Sequence, residues 1–145
     1  MQSEKANLAL WYYNRGYNCA QSVVSAFTEQ LMLDDRTAKR ISSCFGGGMR
    51  MGATCGALSG ALMMLGYAKG FNEYSSENKN ATEILCVAFV EKWKSKIGST
   101  NCKDILGLDV SNPTERQRGK DEGIFDQHCP GCIETAVRLL DEIIS

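Results

Sequence analysis

Cys44-Phe-Gly-Gly-Gly-Met-Arg-Met-Gly-Ala-Thr-Cys-Gly-Ala-Leu-Ser-Gly60 places six glycines and two cysteines within seventeen residues. Glycine weakens a regular element unless the backbone there needs unusual dihedrals or a very close approach. Gly52, Gly56 and Gly60 recur every four residues. On a helix capped by Thr54, Gly56 and Gly60 share one face, and a second backbone can come close against them. The run Gly46-Gly47-Gly48 lets the chain turn sharply into that helix. The alternative for these glycines is tight packing with no site attached.

Outward from this segment the apolar spacing is helical. Leu8, Trp11 and Tyr12 fall at i, i+3 and i+4 over 5–15, and Gly16 is a stop. Asn18 caps a second helix with the apolar face Val23, Val24, Phe27, Leu31 and Met32. A third starts at Asp34 or Asp35 and runs to about Ser43, and the fourth ends near Gly66. The longest begins at Ser75 or Ser76, ends near Gly98, and carries Leu85, Cys86, Phe89, Val90, Trp93 and Ile97 as one stripe. Ser99 or Thr100 caps a short turn through Leu106. The stretch 109–127, with Pro113 and mixed charge, reads as an exposed loop holding at most one helical turn. A last helix begins near Cys129-Pro130 and carries Ile133, Val137, Leu140 and Ile144. No segment alternates with period two. The expectation is an all-α, single-domain compact bundle of about six to seven helices over 1–145.

A formal charge of −1 excludes a strong general field for nucleic acid or anionic membrane, and 43% hydrophobic residues argues against disorder. The start MQSEKANLALWYYNRG lacks the basic-then-apolar order of an export signal. The most apolar stretch, 56–68, is shorter than the roughly 20 residues a membrane span needs. The expectation is a cytoplasmic protein with no nucleic-acid partner and no stable membrane insertion. The aromatic-rich stretch 8–13 fits either a homodimer contact or burial within one chain.

Seven cysteines are the compositional outlier. In a reducing compartment such abundance points to metal binding, redox chemistry or buried thiols. Cys19 follows the Asn18 cap, Cys55 follows Thr54, Cys102 follows Ser99-Thr100-Asn101, and Cys129 precedes Pro130, a residue favoured in a first turn. Four cysteines therefore stand at or beside expected helix starts. There, free amides and about +0.5 of a charge favour the thiolate, the form that binds metals and attacks disulfides. Cys86 reads as a core thiol, and Cys44 as core or as a spare thiol near the site. Cys132, one turn beyond Cys129, is a second attacking thiol or core. His128, the lone histidine, reads as an exposed loop-end residue rather than a ligand. Arg50 forms an anion nest with its glycines or is simply solvated. Cys129-Pro-Gly-Cys132 has the gap of a dithiol motif without its strand context, and Ile133 stands where c-type haem attachment needs histidine.

Asn18-Cys19-Ala20-Gln21, Phe45-Gly46-Gly47-Gly48-Met49, Thr54-Cys55-Gly56-Ala57-Leu58-Ser59-Gly60, Cys102 and Cys129 occur in that order. The chain thereby resembles the bacterial family labelled by the cysteine pattern C, GCAxxG, C, C and described as redox-active, over nearly its whole length. The label's Gly-Cys-Ala stands here as Thr54-Cys55-Gly56-Ala57, so the cysteine and glycines correspond without a strict register. The resemblance implies that Cys19, Cys55, Cys102 and Cys129 are the characteristic cysteines, with Cys44, Cys86 and Cys132 additional. It brings no defined reaction.

The leading expectation is a metal or iron–sulfur centre for electron transfer, with Cys19, Cys55, Cys102 and Cys129 as ligands and Gly52, Gly56 and Gly60 around the cofactor. Four helix ends of about +0.5 each would offset the charge of about −2 on a thiolate-bound two-iron cluster. One alternative is a metal-free thiol–disulfide oxidoreductase or sulfur carrier using Cys129 with Cys132, or Cys19 with Cys55. Another is a helical interaction module whose thiols are incidental. Each redox reading needs a redox partner that the sequence does not specify.

Overall fold

Polar caps decide where most helices begin. In the computed structural model, which describes residues 3–144, the Ser3 hydroxyl caps α1 (Glu4–Tyr13). Asn18 and Gln21 form a reciprocal capping box at α2 (Cys19–Leu31), and Asp34 caps α3 (Asp35–Ile41). Cys55 is the cap residue of α4 (Gly56–Lys69). Ser75 opens α5 (Ser76–Ile97), which Gly98 ends at φ +96°. Asn101 caps α6 (Cys102–Leu106), Asn112 caps α7 (Pro113–Asp121) with proline in its first turn, and α8 spans Ile124–Ile144. Each polar side-chain cap satisfies amides that a first turn leaves unpartnered, contributing about 1 kcal/mol.

The described residues thus form eight right-handed helices, with the irregular turn Gly48–Gly52 as a ninth short helical element, and no strand. The class is all-α as expected, with somewhat more helices. Two of the differences arise in 109–127, which is not a loop. Its polar α7 has no apolar stripe and is set by Asn112-Pro113, while Ile124 and Phe125 pack on Cys102, Leu106, Leu108 and Val110. That packing starts α8 at Ile124 and places Pro130 in the helix interior. The proline removes the hydrogen bond to the Asp126 carbonyl, a penalty of about 3 kcal/mol that the apolar contacts offset.

Helix α4 lies against α2 and α8, α1 closes over α2 and α8, and α5 covers α4 and α8. Val23, Val24, Phe27, Leu58, Met64, Phe89, Trp93, Ile133, Val137 and Leu140 fill the core between them. The buried face of α1 is Ala6 and Ala9, whereas Leu8 and Trp11 are 39% and 47% exposed. Small residues bring α1 close to its neighbours, and Trp11 instead stacks beneath the Arg15 guanidinium, 3.5 Å from the ring centroid. Met32 ends α2 in a left-handed conformation and is exposed. Only Phe89 and Trp93 of the α5 stripe are fully buried, and Cys86 is half-buried.

Helix α4 meets the start of α2 backbone on backbone. A Cβ at Gly60 would lie 2.8 Å from the Ala20 carbonyl oxygen, and one at Gly56 would lie 2.8 Å from the Phe45 carbonyl oxygen and 3.3 Å from the Cys19 Cβ. Gly66, on the same helix, has nothing within 4 Å of such a Cβ. Gly60→Ala should therefore lower stability by about 1–3 kcal/mol through overpacking. Gly66→Ala should raise it by about 0.5–1 kcal/mol. Urea unfolding midpoints of the two variants, read by circular dichroism, test this opposite pair of signs.

Candidate functional site

Two short segments hold the first pair of cysteines side by side. Thr54 and Asn101 form an antiparallel bridge. The Cys55 amide donates to the Thr100 carbonyl at 2.8 Å, and the Cys102 amide donates to the Ala53 carbonyl at 2.6 Å. The second segment is itself fixed from the core, because the indole of buried Trp93 donates to the Ser99 carbonyl at 2.9 Å. Cys19 arrives through the glycine contact of α4 with the start of α2. Asn18 pins that start by donating to the Ser43 carbonyl at 3.0 Å and accepting from the Gln21 amide at 2.8 Å. Cys129 and Cys132 come from α8, one turn apart.

All five of these thiols line one pocket of about 440 Å³. The four cysteines expected at the site meet there, and Cys132 joins them. Cys44 is exposed and Cys86 half-buried, and neither is among the lining residues. All seven cysteines are free. His128 is exposed and lines a separate surface cleft. Gly56 lines the thiol pocket, whereas Gly60 packs on Ala20, and Gly52, at φ +67°, has the Lys103 Cβ 3.2 Å from its own Cβ position.

Three of the four characteristic cysteines occupy helix starts: Cys19 and Cys102 open α2 and α6, and Cys55 caps α4. Cys129 does not. It lies in the second turn of α8, because that helix begins five residues earlier than the proline suggests. The positive helix ends at the site therefore number three, fewer than the charge balance for a two-iron cluster supposed.

The thiols associate in pairs. The hydrogen-bonding pull between the neighbouring Cys132 and Cys55 thiols is the largest influence on the acidity of both. It lowers Cys55 to about 7, with help from the amides of Ala57 and Leu58 and against the cost of burial. The same pull, with burial, drives Cys132 far above the ordinary thiol range. Cys19 is likewise raised, by the hydrogen-bonding pull of Cys129 first and by burial second. Cys102 is raised to about 12, by burial first and then by the neighbouring Cys55 and Cys129 charges. Cys55 is thus the thiol whose anion is favoured, while Cys19, Cys102 and Cys132 are held toward the protonated form. Tyr13, also on the pocket wall, donates to Asp126 Oδ1 at 3.1 Å and titrates far above its usual range, mainly through burial.

Among the described residues, no three His, Cys, Asp or Glu side chains are gathered closely enough to hold a metal ion. The sulfurs lie farther apart than a closed quartet of metal ligands would.

The wall also contains Arg50, Arg116, Lys120 and Phe125. Of these the sequence raised only Arg50, as an anion nest. Arg116 and Lys120 are four apart on α7 and share a face, which becomes legible once Asn112-Pro113 is taken as a helix start. Arg50 ends a stretch, 47–50, in which four successive residues have φ of +62°, +60°, +60° and +58°. A Cβ at Gly48 would lie 2.5 Å from the Ala53 amide nitrogen, so glycine is required there.

Five free thiols around one pocket of an all-α protein are the feature to compare with known families. The family model "Putative redox-active protein (C_GCAxxG_C_C)" matches residues 17–143. The chain belongs to that family. No curated protein and no solved structure is significantly similar to it. No helix among the described residues is long and apolar enough to cross a membrane.

Alkylation by iodoacetamide, mapped by peptide mass spectrometry, reads the acidity of Cys55 directly. Its labelling rate should rise with a midpoint near pH 7, because below that value the sulfur is protonated and above it the thiolate reacts. Cys132→Ala removes the neighbouring S–H, so the midpoint should move upward. An unchanged midpoint would assign the acidity to the helix amides instead.

Proposed function

We propose that the chain is a thiol–disulfide oxidoreductase in which Cys55 attacks and Cys132 resolves. The observation that carries this reading is the placement of buried Cys55 and Cys132 together on one pocket wall, where their acidities are pushed in opposite directions. With a pKa of about 7, Cys55 is about half ionised at neutral pH, against a few per cent for an ordinary thiol. An attacking thiol is most effective when its pKa lies near the ambient pH, since stronger acids are weaker nucleophiles.

The thiolate of Cys55 attacks one sulfur of a disulfide R–S–S–R. A Cys55–S–S–R bond forms, the substrate S–S bond breaks, and RS⁻ leaves to take a proton from water. Cys132 then gives up its proton and attacks the Cys55 sulfur. The intramolecular disulfide forms and a second RS⁻ departs. Two electrons pass from the protein dithiol to the substrate, which leaves as two thiols. A cellular dithiol donor returns the pair to the reduced state by the reverse exchange, and a reducing cytoplasm suits that cycle.

Cys19 and Cys129 form a second pair nearer the pocket surface, each half-buried. A metal or iron–sulfur centre for electron transfer is the second reading. It rests on the convergence of Cys19, Cys55, Cys102 and Cys129 on one pocket, and it requires their sulfurs to draw closer than they lie.

One preparation separates the two. Protein purified without oxygen should contain no stoichiometric iron, zinc or acid-labile sulfide. After treatment with a small disulfide it should show a Cys55–Cys132 linkage on peptide mapping. Cys55→Ser should abolish that linkage, and Cys86→Ser should leave it intact. Stoichiometric metal bound in the wild type and lost in Cys19→Ser would overturn the exchange reading in favour of a metal centre.

A further inference from the structure

The pocket around the thiols has a charge pattern of its own. Its lining includes Arg50, Arg116 and Lys120 and not one aspartate or glutamate. Ion pairs are made elsewhere, by Lys5, Lys39, Lys94, Arg118 and Arg138. Among the described residues, none of the three pocket cations is within 4 Å of a carboxylate. Against the Cys55 thiolate and the Asp126 carboxylate bonded to Tyr13, the three cations leave the pocket a positive excess.

Arg50 is held there at a conformational cost. Its backbone is left-handed at φ +58°, a region that L-residues disfavour and that concentrates at functional sites. Its stem folds back over Gly47, with Cδ 3.5 Å from the place a Cβ would occupy. The glycine makes room for that stem beside Val110.

Burial limits what reaches the sulfurs. Cys55 is 5% exposed and Cys132 4%. A disulfide lying on a protein surface does not reach them, whereas a molecule that enters the pocket does. A volume of about 440 Å³ falls in the small-ligand range. Ile105, Leu106, Val110 and Phe125 supply apolar wall to the same pocket.

We infer that the substrate of the Cys55–Cys132 pair is a small disulfide whose ends carry negative charge, held by Arg50, Arg116 and Lys120 while its S–S bond meets Cys55. This rests on the exchange reading above and adds the substrate class to it.

Three disulfides of similar size differ chiefly in charge: 3,3′-dithiodipropionate is anionic, bis(2-hydroxyethyl) disulfide is neutral, and cystamine is cationic. The rate at which each oxidises the reduced protein is divided by its rate with free 2-mercaptoethanol, which removes intrinsic reactivity. The normalised rates should fall in the order anion, neutral, cation, with about tenfold or more between the extremes at low salt. Tenfold corresponds to about 1.4 kcal/mol. The order should compress as salt rises. The combined substitution Arg50→Gln, Arg116→Gln, Lys120→Gln should flatten it, and each single change should reduce it. The wild-type series decides the matter even if the combined variant misfolds. Equal normalised rates, or a preference for cystamine, would overturn the inference and leave the exchange reading standing. No oxidation of Cys55 by any of the three would overturn the exchange reading itself.

Discussion

The structure depends on the distance at which α4 passes the start of α2. Gly60 against Ala20, and Gly56 against Phe45 and Cys19, leave no room for a methyl group. Two helices with ordinary side chains at their contact pack with axes about 8–10 Å apart. Removing Cβ atoms lets backbone touch backbone, and helix starts bearing Cys19 and Cys55 come to the same place. The bridge between Thr54 and Asn101 then adds Cys102, and the packing of α8 on α4 adds Cys129 and Cys132. Sulfurs remote in sequence thus meet through steric permission given at two glycines. Their hydrogen bonding and acidities follow from that meeting.

The segment 47–50 is the least favourable part of the same construction. Left-handed conformation costs an L-residue about 1–2 kcal/mol, so Met49 and Arg50 together cost about 2–4 kcal/mol. Domains of this kind are stable by only about 5–15 kcal/mol, so the cost is a sizeable share. It is met by what the turn allows: the chain leaves α3, reverses against Val110, and delivers Ala53 and Cys55 to the bridge in register. Arg50 reaches the pocket as a consequence of the same turn.

Much of this was legible in the sequence, and the reasons differ by element. Asn18, Asp34, Ser75 and Gly98 mark helix ends through local hydrogen bonding and local dihedrals, so they read correctly with no knowledge of the fold. The glycine spacing and the cap-adjacent cysteines pointed to convergence because both are local conditions for a close approach. Cys129 misled for the opposite reason. Pro130 prefers a first turn, but burial of Ile124 and Phe125 outweighs that preference and carries the helix past it. Helix α1 misled because large apolar side chains dominate a periodicity, whereas contact with α2 and α8 selected the alanines. The meeting of Cys132 with Cys55, and of the α7 face bearing Arg116 and Lys120 with the same pocket, belongs to the tertiary arrangement, and no spacing encodes it.

The position of Pro130 bears on how such a site can work. Reduced, Cys55 and Cys132 are neighbouring free thiols, and oxidised they would need Cα atoms about 4.4–6.8 Å apart with a Cβ–S–S–Cβ angle near 90°. Two rigid helices accommodate that change poorly, because interiors are packed as densely as crystals. Helix α8, however, is weakened between its two thiols. Pro130 lacks the amide that would bond the Asp126 carbonyl, and Gly131, with nothing within 4 Å of its Cβ position, costs about 1 kcal/mol relative to alanine. The weak point adjoins Cys132, while Cys55 is fixed by the bridge and by the glycine contact of α4. In the exchange proposed above, a nucleophile held firm and a resolving thiol on a yielding turn would divide the work between a rigid partner and a compliant one. The Pro-Gly pair that broke the expected helix boundary thus has a place in the chemistry proposed for the pocket.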